Sequence, residues 1–221
     1  MSSVSIPIGR QVEKAGDHTL PPFSCLAQKR LPTYVGVMKT SEAEILIVPG
    51  YKGANEDHWQ SRWERNISTA RFVEMGDWHK PVFEEWKANL LTEARKTTKP
   101  VFLLGHSIGA QVIVQAAKEL EADVKGAMLV APPDVENPEI RPKHLMTFGP
   151  ASRDPLPFPS VTIASRNDHF CAYEKAEDMA AAWGSMFMDA GESGHINHES
   201  GHGPWPEGLM VFSRFLNQIK V

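Results

Sequence analysis

The 221-residue sequence holds only two cysteines, Cys25 and Cys171, too few for a disulfide framework or a thiolate zinc cluster. Such sparing use of cysteine fits a reducing, cytoplasmic setting. Long apolar runs are missing too, and none approaches the roughly 20 residues that a membrane-spanning helix needs. There is no excess of basic residues: 23 Lys and Arg face 27 Asp and Glu, a formal net charge of −4. That balance leaves no electrostatic footprint for nucleic acid and no polybasic patch for a membrane. Met1 to Cys25 has no continuous apolar core and carries Glu13 and Asp17, so it reads as neither a secretory signal nor a strongly basic transit peptide. No internal repeat marks a solenoid or a second domain.

What is present is an ordinary globular composition, 42% hydrophobic and 23% charged, on a chain long enough for one domain with a substantial core. Residues 1–32 are weakly patterned, include Pro7, Pro21, Pro22 and Pro32, and read as an N-terminal arm. Residues 33–221 read as one domain, with 34–38 either an early strand or a continuation of the arm. Buried-type strands are expected at 43–48, 70–75, 101–104, 124–130 and 161–165, with a short last one at 185–189. Helical periodicity falls between them. Trp59, Trp63 and Ile67 mark one apolar face behind an Asp57 cap. Val82, Phe83, Trp86, Leu90, Leu91 and Ala94 mark another, with Pro81 as its first helical residue. Residues 172–183 and a closing segment from Pro206 to Ile219 complete the set. Strands alternating with helices predict an α/β fold, a mostly parallel sheet covered on both faces. The proline-rich stretch 134–159 is long for an α/β connection and is a candidate rim or small lid.

Within this order, Val101-Phe102-Leu103-Leu104 runs straight into Gly105-His106-Ser107-Ile108-Gly109-Ala110, and an apolar Ala-rich stretch follows. Strand, Gly-x-Ser-x-Gly turn and helix together describe a nucleophile elbow, in which a serine hydroxyl is lifted above the sheet edge. His106 is expected to pack beneath it. A serine needs a base within hydrogen-bond reach, and the base needs an orienting acid. Both should lie at carboxyl ends of later strands, acid before histidine.

Asp168, just past the 161–165 strand, fits the acid; Asp134 and Glu199 are the alternatives, and a helix cap is the plain structural reading of Asp168. His195, in the Gly-rich loop after the last strand, fits the base, with His198 and His202 as rivals. His169 adjoins the acid without being needed as the base. The three late histidines have ligand-like spacing, but a Gly-rich loop does not fix them and no Cys pair joins them. Neither metal nor cofactor is expected. Oxyanion donors are expected from the backbone N–H of Ile108 and from the loop after the 43–48 strand, at Tyr51 with Lys52 behind it. Trp59, Trp78, Trp86 and Trp205 read as core or pocket residues rather than a partner patch.

These segments together resemble the α/β-hydrolase superfamily. More narrowly, the chain is similar to the small serine hydrolases related to retinoblastoma-binding protein 9 and to bacterial YdeN-like hydrolases. The resemblance spans roughly 43–219. It rests on Pro49-Gly50, Asp57-His58-Trp59-Gln60, Asp77-Trp78 with Pro81, the Gly-His-Ser elbow, Ala131-Pro132-Pro133-Asp134, the Asp168 turn, Gly194-His195 and Trp205-Pro206-Glu207-Gly208. It implies a three-layer α/β/α fold without a large cap domain, and a Ser107-His195-Asp168 triad acting on small carboxylic esters or another acyl substrate. His169 and Phe170 depart from the proline–tyrosine-like pair of many relatives. Amidase, peptidase and thioesterase activities use the same machinery. A protein-binding module on a hydrolase scaffold is the alternative of a different class, and an occluded or misaligned Ser107 would favour it. A carboxylate in place of Ser107 would suit a haloalkane dehalogenase better. Monomer and homodimer are both open.

Overall fold

The computed structural model describes residues 40–120 and 124–219. The arm expected at 1–32 and the early strand at 34–38 lie outside the described residues. Six strands form one sheet: β1 (Glu44–Val48), β2 (Ala70–Phe72), β3 (Val101–His106), β4 (Val124–Val130), β5 (Ser160–Ala164) and β6 (Met186–Asp189). Their order is β2-β1-β3-β4-β5-β6, and every pairing is parallel. Helices α1 (Trp59–Asn66), α2 (Phe83–Arg95), α3 (Ile108–Leu120), α4 (Tyr173–Trp183) and α5 (Pro206–Gln218) alternate with them.

Successive side chains along a strand point to opposite faces, and the two faces have separate cores. Leu46, Val48, Val101 and Leu103 pack with Trp86, Leu90, Ile113, Met179 and Trp183 of α2, α3 and α4. Ile45, Ile47, Phe102 and Leu104 pack with Trp59, Trp63, Phe212 and Phe215 of α1 and α5. This is the expected three-layer α/β/α arrangement. No large cap domain is inserted among the described residues, and no helix among them is long and apolar enough to cross a membrane.

The proline-rich connection from β4 to β5 takes the place of a crossover helix. It contains a 3-10 turn, Lys143–Phe148, and packs Val135, Ile140, Leu145 and Phe148 onto the α2–α3 face. Phe148 is fully buried beside Phe83 and Trp86, and its carbonyl accepts from Gln115 of α3.

Two local expectations are corrected. The side-chain cap of α1 is His58, whose Nδ1 accepts from the amide of Gln60; Asp57 instead pairs with Arg62. Pro81 precedes the helix rather than starting it, because Val82 is the N-cap of α2.

The chain leaves β1 in one direction, toward β2, then returns past β1 to β3 and continues the other way. In an open α/β sheet the crevice at such a reversal is the natural ligand site. Here it lies between the loop after β1 and the elbow after β3.

Candidate active site

Ser107 stands between β3 and α3 with φ +55°, the left-handed region that a non-glycine residue occupies only under constraint. The constraint is close backbone packing. A Cβ on Gly109 would fall 2.4 Å from the Val48 carbonyl oxygen, and one on Gly105 would fall 2.8 Å from Ala110 Cα. Neither position has room for a side chain, so the β3–α3 turn closes tightly against the end of β1. The Ser107 amide donates to Val130 O at 3.0 Å, which ties the turn to β4 as well.

His195 comes from the loop after β6. Its Nε2 lies 2.9 Å from Ser107 Oγ, and its Nδ1 lies 2.8 Å from Asp168 Oδ2. Asp168 sits in the loop after β5, and its Oδ1 accepts from the amide of Phe170 at 2.9 Å. The His195 and Asp168 side chains are 6% and 3% exposed, which shields their contact from water. Thus Nδ1–H donates to the carboxylate, leaving Nε2 free to accept the Ser107 proton. The plain cap reading of Asp168 is not met, because α4 is entered at Ala172 without a side-chain cap.

The rival residues are not the partners found on Ser107 Oγ and His195 Nδ1. The Asp134 carboxylate accepts from the Glu136 amide in its own turn. His198 and Glu199 line the cavity into which Ser107 opens. His202 turns its ring edge-on to Trp205 and meets Ser200, and burial lowers its pKa. His169 lies against Phe170, at a centroid distance of 4.1 Å.

The base loop is held from both sides. Upstream, Asn167 Oδ1 accepts from the Gly194 amide at 2.7 Å, and Ser165 Oγ accepts from the Ser193 amide at 2.8 Å. Downstream, His106 Nε2–H donates to His195 O at 2.9 Å, and Trp59 Nε1–H donates to Ile196 O at 2.8 Å. Ile196 has φ +48°, an outlier for a β-branched residue, and is fully buried. Burial and the proximity of His195 and His58 push the His106 pKa well down, so the ring is a neutral donor.

Ser107 opens into a cavity of about 290 Å³. Tyr51, Leu145 and Phe170 give it an apolar wall, while Lys52, His58 and Asn197 give it polar ones. A Cβ on Gly50 would fall 2.9 Å from Ser107 Cβ, so the loop after β1 runs directly beside the serine. The Lys52 amide is occupied by Trp78 O at 2.8 Å. Trp59, Trp86 and Trp205 are buried and Trp78 is half-buried, as expected of core and pocket residues.

The sequence matches the protein family described as "Serine hydrolase" over residues 45–214. The chain belongs to the serine hydrolase family. A YdeN-like hydrolase from Pectobacterium atrosepticum is 32% identical, with 82% of this chain and 95% of that chain covered and a TM-score of 0.73. The ydeN gene product from B. subtilis shares the fold at 17% identity and TM-score 0.66, over 80% of this chain and all (100%) of that one. A hydrolase of the alpha/beta superfamily from Xanthomonas campestris shares it at 16% identity and TM-score 0.51, over 80% of this chain and 96% of that one. No curated protein matches the sequence significantly.

This serine hydrolase also carries site residues that sequence reasoning did not assign. His106 and Trp59 hold the base loop, and Asn167 and Ser165 shape its upstream half. The adjacency of His106 to Ser107 was the one available signal. The others act across 27 to 137 residues of chain separation, which no local pattern reveals.

Proposed function

We propose that Ser107 is the nucleophile, His195 the general base and Asp168 the orienting acid in hydrolysis of small carboxylic esters. The observation that carries this reading is the unbroken hydrogen-bonded chain from Ser107 Oγ through His195 to Asp168, opening into the cavity. An accessible, aligned serine also speaks for catalysis over a binding-only role.

His195 Nε2 takes the Ser107 proton as Oγ attacks the ester carbonyl, and Asp168 stabilises the imidazolium. The carbonyl π electrons move onto oxygen. The amides of Ile108 and Tyr51 then donate to that oxyanion. As the first residue of α3, Ile108 has no intrahelical acceptor for its N–H. The packing of Gly50 beside Ser107 and the occupied Lys52 amide support Tyr51, the next residue, as the second donor.

When the tetrahedral intermediate collapses, the C–O bond to the alcohol breaks and His195 returns the proton to the leaving oxygen. Water attacks the acyl-enzyme by the same route. The cavity volume favours short acyl groups. Residues 134–159 serve as a small rim, since Leu145 lines the cavity and His144 contacts the Tyr51 ring edge-on at 4.8 Å.

The test is turnover of p-nitrophenyl acetate and butanoate together with fluorophosphonate labelling. Wild-type protein should react in both assays. If Ser107→Ala protein labels and turns over at the wild-type level, the assignment fails.

A further inference from the structure

His58 is placed on the wall of the same cavity by the first turn of α1, and its two ring nitrogens have different partners. Nδ1 accepts the backbone N–H of Gln60 at 3.1 Å and so caps the helix. A nitrogen that accepts carries no proton, so the neutral ring must hold its proton on Nε2. Nε2 has no acceptor among the described residues. The residue is 5% exposed and lines the cavity, and Nε2 is not one of the fully enclosed unpartnered atoms, so it is reached from the cavity. The ring is fixed by edge contact with His106, at a centroid distance of 5.0 Å, and by a tilted contact with Trp59 at 5.4 Å. A donor on a cavity wall that has no protein acceptor is available to a bound molecule.

We infer that His58 is a specificity-determining residue whose Nε2–H donates to an oxygen on the substrate. The enzyme therefore prefers esters with an ether, hydroxyl or carbonyl oxygen near the scissile group over alkyl esters of equal size. This rests on the proposed ester hydrolysis and adds the class of substrate.

Three features support a donor role over a merely capping one. Capping uses Nδ1 alone, for which the shorter Asn, Ser or Asp would serve. Burial, together with the positive charge that His195, His198 and His202 carry when protonated, pushes the His58 pKa down to about 4, so the ring keeps one proton in a fixed place through the neutral range. Asn197, which lines the same cavity, provides a further polar side chain.

The test compares isosteric substrate pairs. On the acyl side these are p-nitrophenyl methoxyacetate and p-nitrophenyl butanoate. On the alcohol side they are 2-methoxyethyl acetate and butyl acetate. His58→Asn keeps an acceptor for the Gln60 amide but is too short to reach the cavity. The ratio of kcat/KM values, oxygenated over alkyl, cancels intrinsic ester reactivity when variant and wild type are compared. That ratio should fall about 3- to 10-fold in the variant in at least one pair, the span of one neutral hydrogen bond. A ratio within twofold of wild type in both pairs overturns the inference.

Should His58→Asn fail to fold, Ser107→Ala protein carrying the native His58 gives the answer. Its His58 Nε2–H resonance should shift with the methoxy ester of one pair and not with the alkyl partner. Equal responses to both overturn the inference. Loss of turnover in Ser107→Ala, with unchanged ratios for His58→Asn, removes only the role of His58. Wild-type turnover in Ser107→Ala removes the underlying hydrolase assignment.

Discussion

His106 Nε2 lies 2.9 Å from the carbonyl oxygen of His195, so the residue before the nucleophile holds the backbone of the base. Elbow and base loop are joined here by a bond separate from the Ser107–His195 contact. His106 touches no reacting atom and is a positioning residue. Replacing it with Leu leaves the buried His195 carbonyl without its donor, which costs about 1–3 kcal/mol where it falls on alignment of the base. The expected outcome for His106→Leu is a fall in kcat of about 10- to 100-fold with KM changed little. His106→Gln, which retains an N–H donor, should recover part of the loss. Steady-state kinetics of both variants check this; equal losses in the two would remove the hydrogen bond as the cause.

The acid can be tested against its rival. Asp168 meets His195 Nδ1 at 2.8 Å, whereas the Asp134 carboxylate is engaged in its own turn. Asp168→Asn should lower kcat by about ten-thousand-fold, because an amide presents a donor or an uncharged acceptor where the imidazolium needs a carboxylate. Asp134→Asn should stay within a few-fold of wild type, since Asn fills a turn of this kind equally well. Loss of the same size in both variants would argue against Asp168 as the acid.

How far the chain can be read without coordinates depends on how local each signal is. Strand β4 matches its expected limits, and the triad residues follow from strand-end positions in the required order. Those signals lie within one element or follow from a topological rule. The misread start of α1 shows the limit. Asp57 is a common cap type, and only the fold reveals that Arg62 takes it and that the His58 ring turns inward to cap. The Trp59–Ile196 bond spans 137 positions, and it depends on α1 and the base loop meeting over one sheet edge. Residues 134–159 were legible as unusual in length, but their use as packing in place of a helix comes from Phe148 and Leu145 finding the α2–α3 face.

The elbow tolerates no Cβ at Gly109, where one would lie 2.4 Å from Val48 O and 2.5 Å from Pro49 O. Both atoms are backbone, so relief requires β1 and its following loop to move. Gly109→Ala should destabilise the fold by about 1–3 kcal/mol, the usual cost of overpacking. It should also reduce kcat, because the same loop carries Gly50 and Tyr51. Urea unfolding and ester turnover on one preparation check both effects. An unchanged midpoint with full activity would contradict the close packing.

Stability should fall as pH is lowered below neutrality, and His58 should account for a defined share. Its pKa is pushed from an ordinary 6.5 down to about 4 by burial and by the neighbouring His195, His198 and His202. The unfolded chain therefore binds the proton first. Stabilisation from this ring is complete above about pH 6.5, is lost as the pH falls through the window, and levels off near pH 4. Between pH 7 and pH 5 the loss is about 2 kcal/mol for this one ring. His106 and His202 act in the same direction, because burial lowers both. Urea midpoints at pH 7 and pH 5 measure the total. The drop should be smaller in His58→Asn, which keeps a cap and has no ring to protonate. An identical drop in variant and wild type would mean that His58 titrates alike in the folded and unfolded chain. Its Nδ1 could then not be holding the Gln60 amide as a buried, unprotonated acceptor.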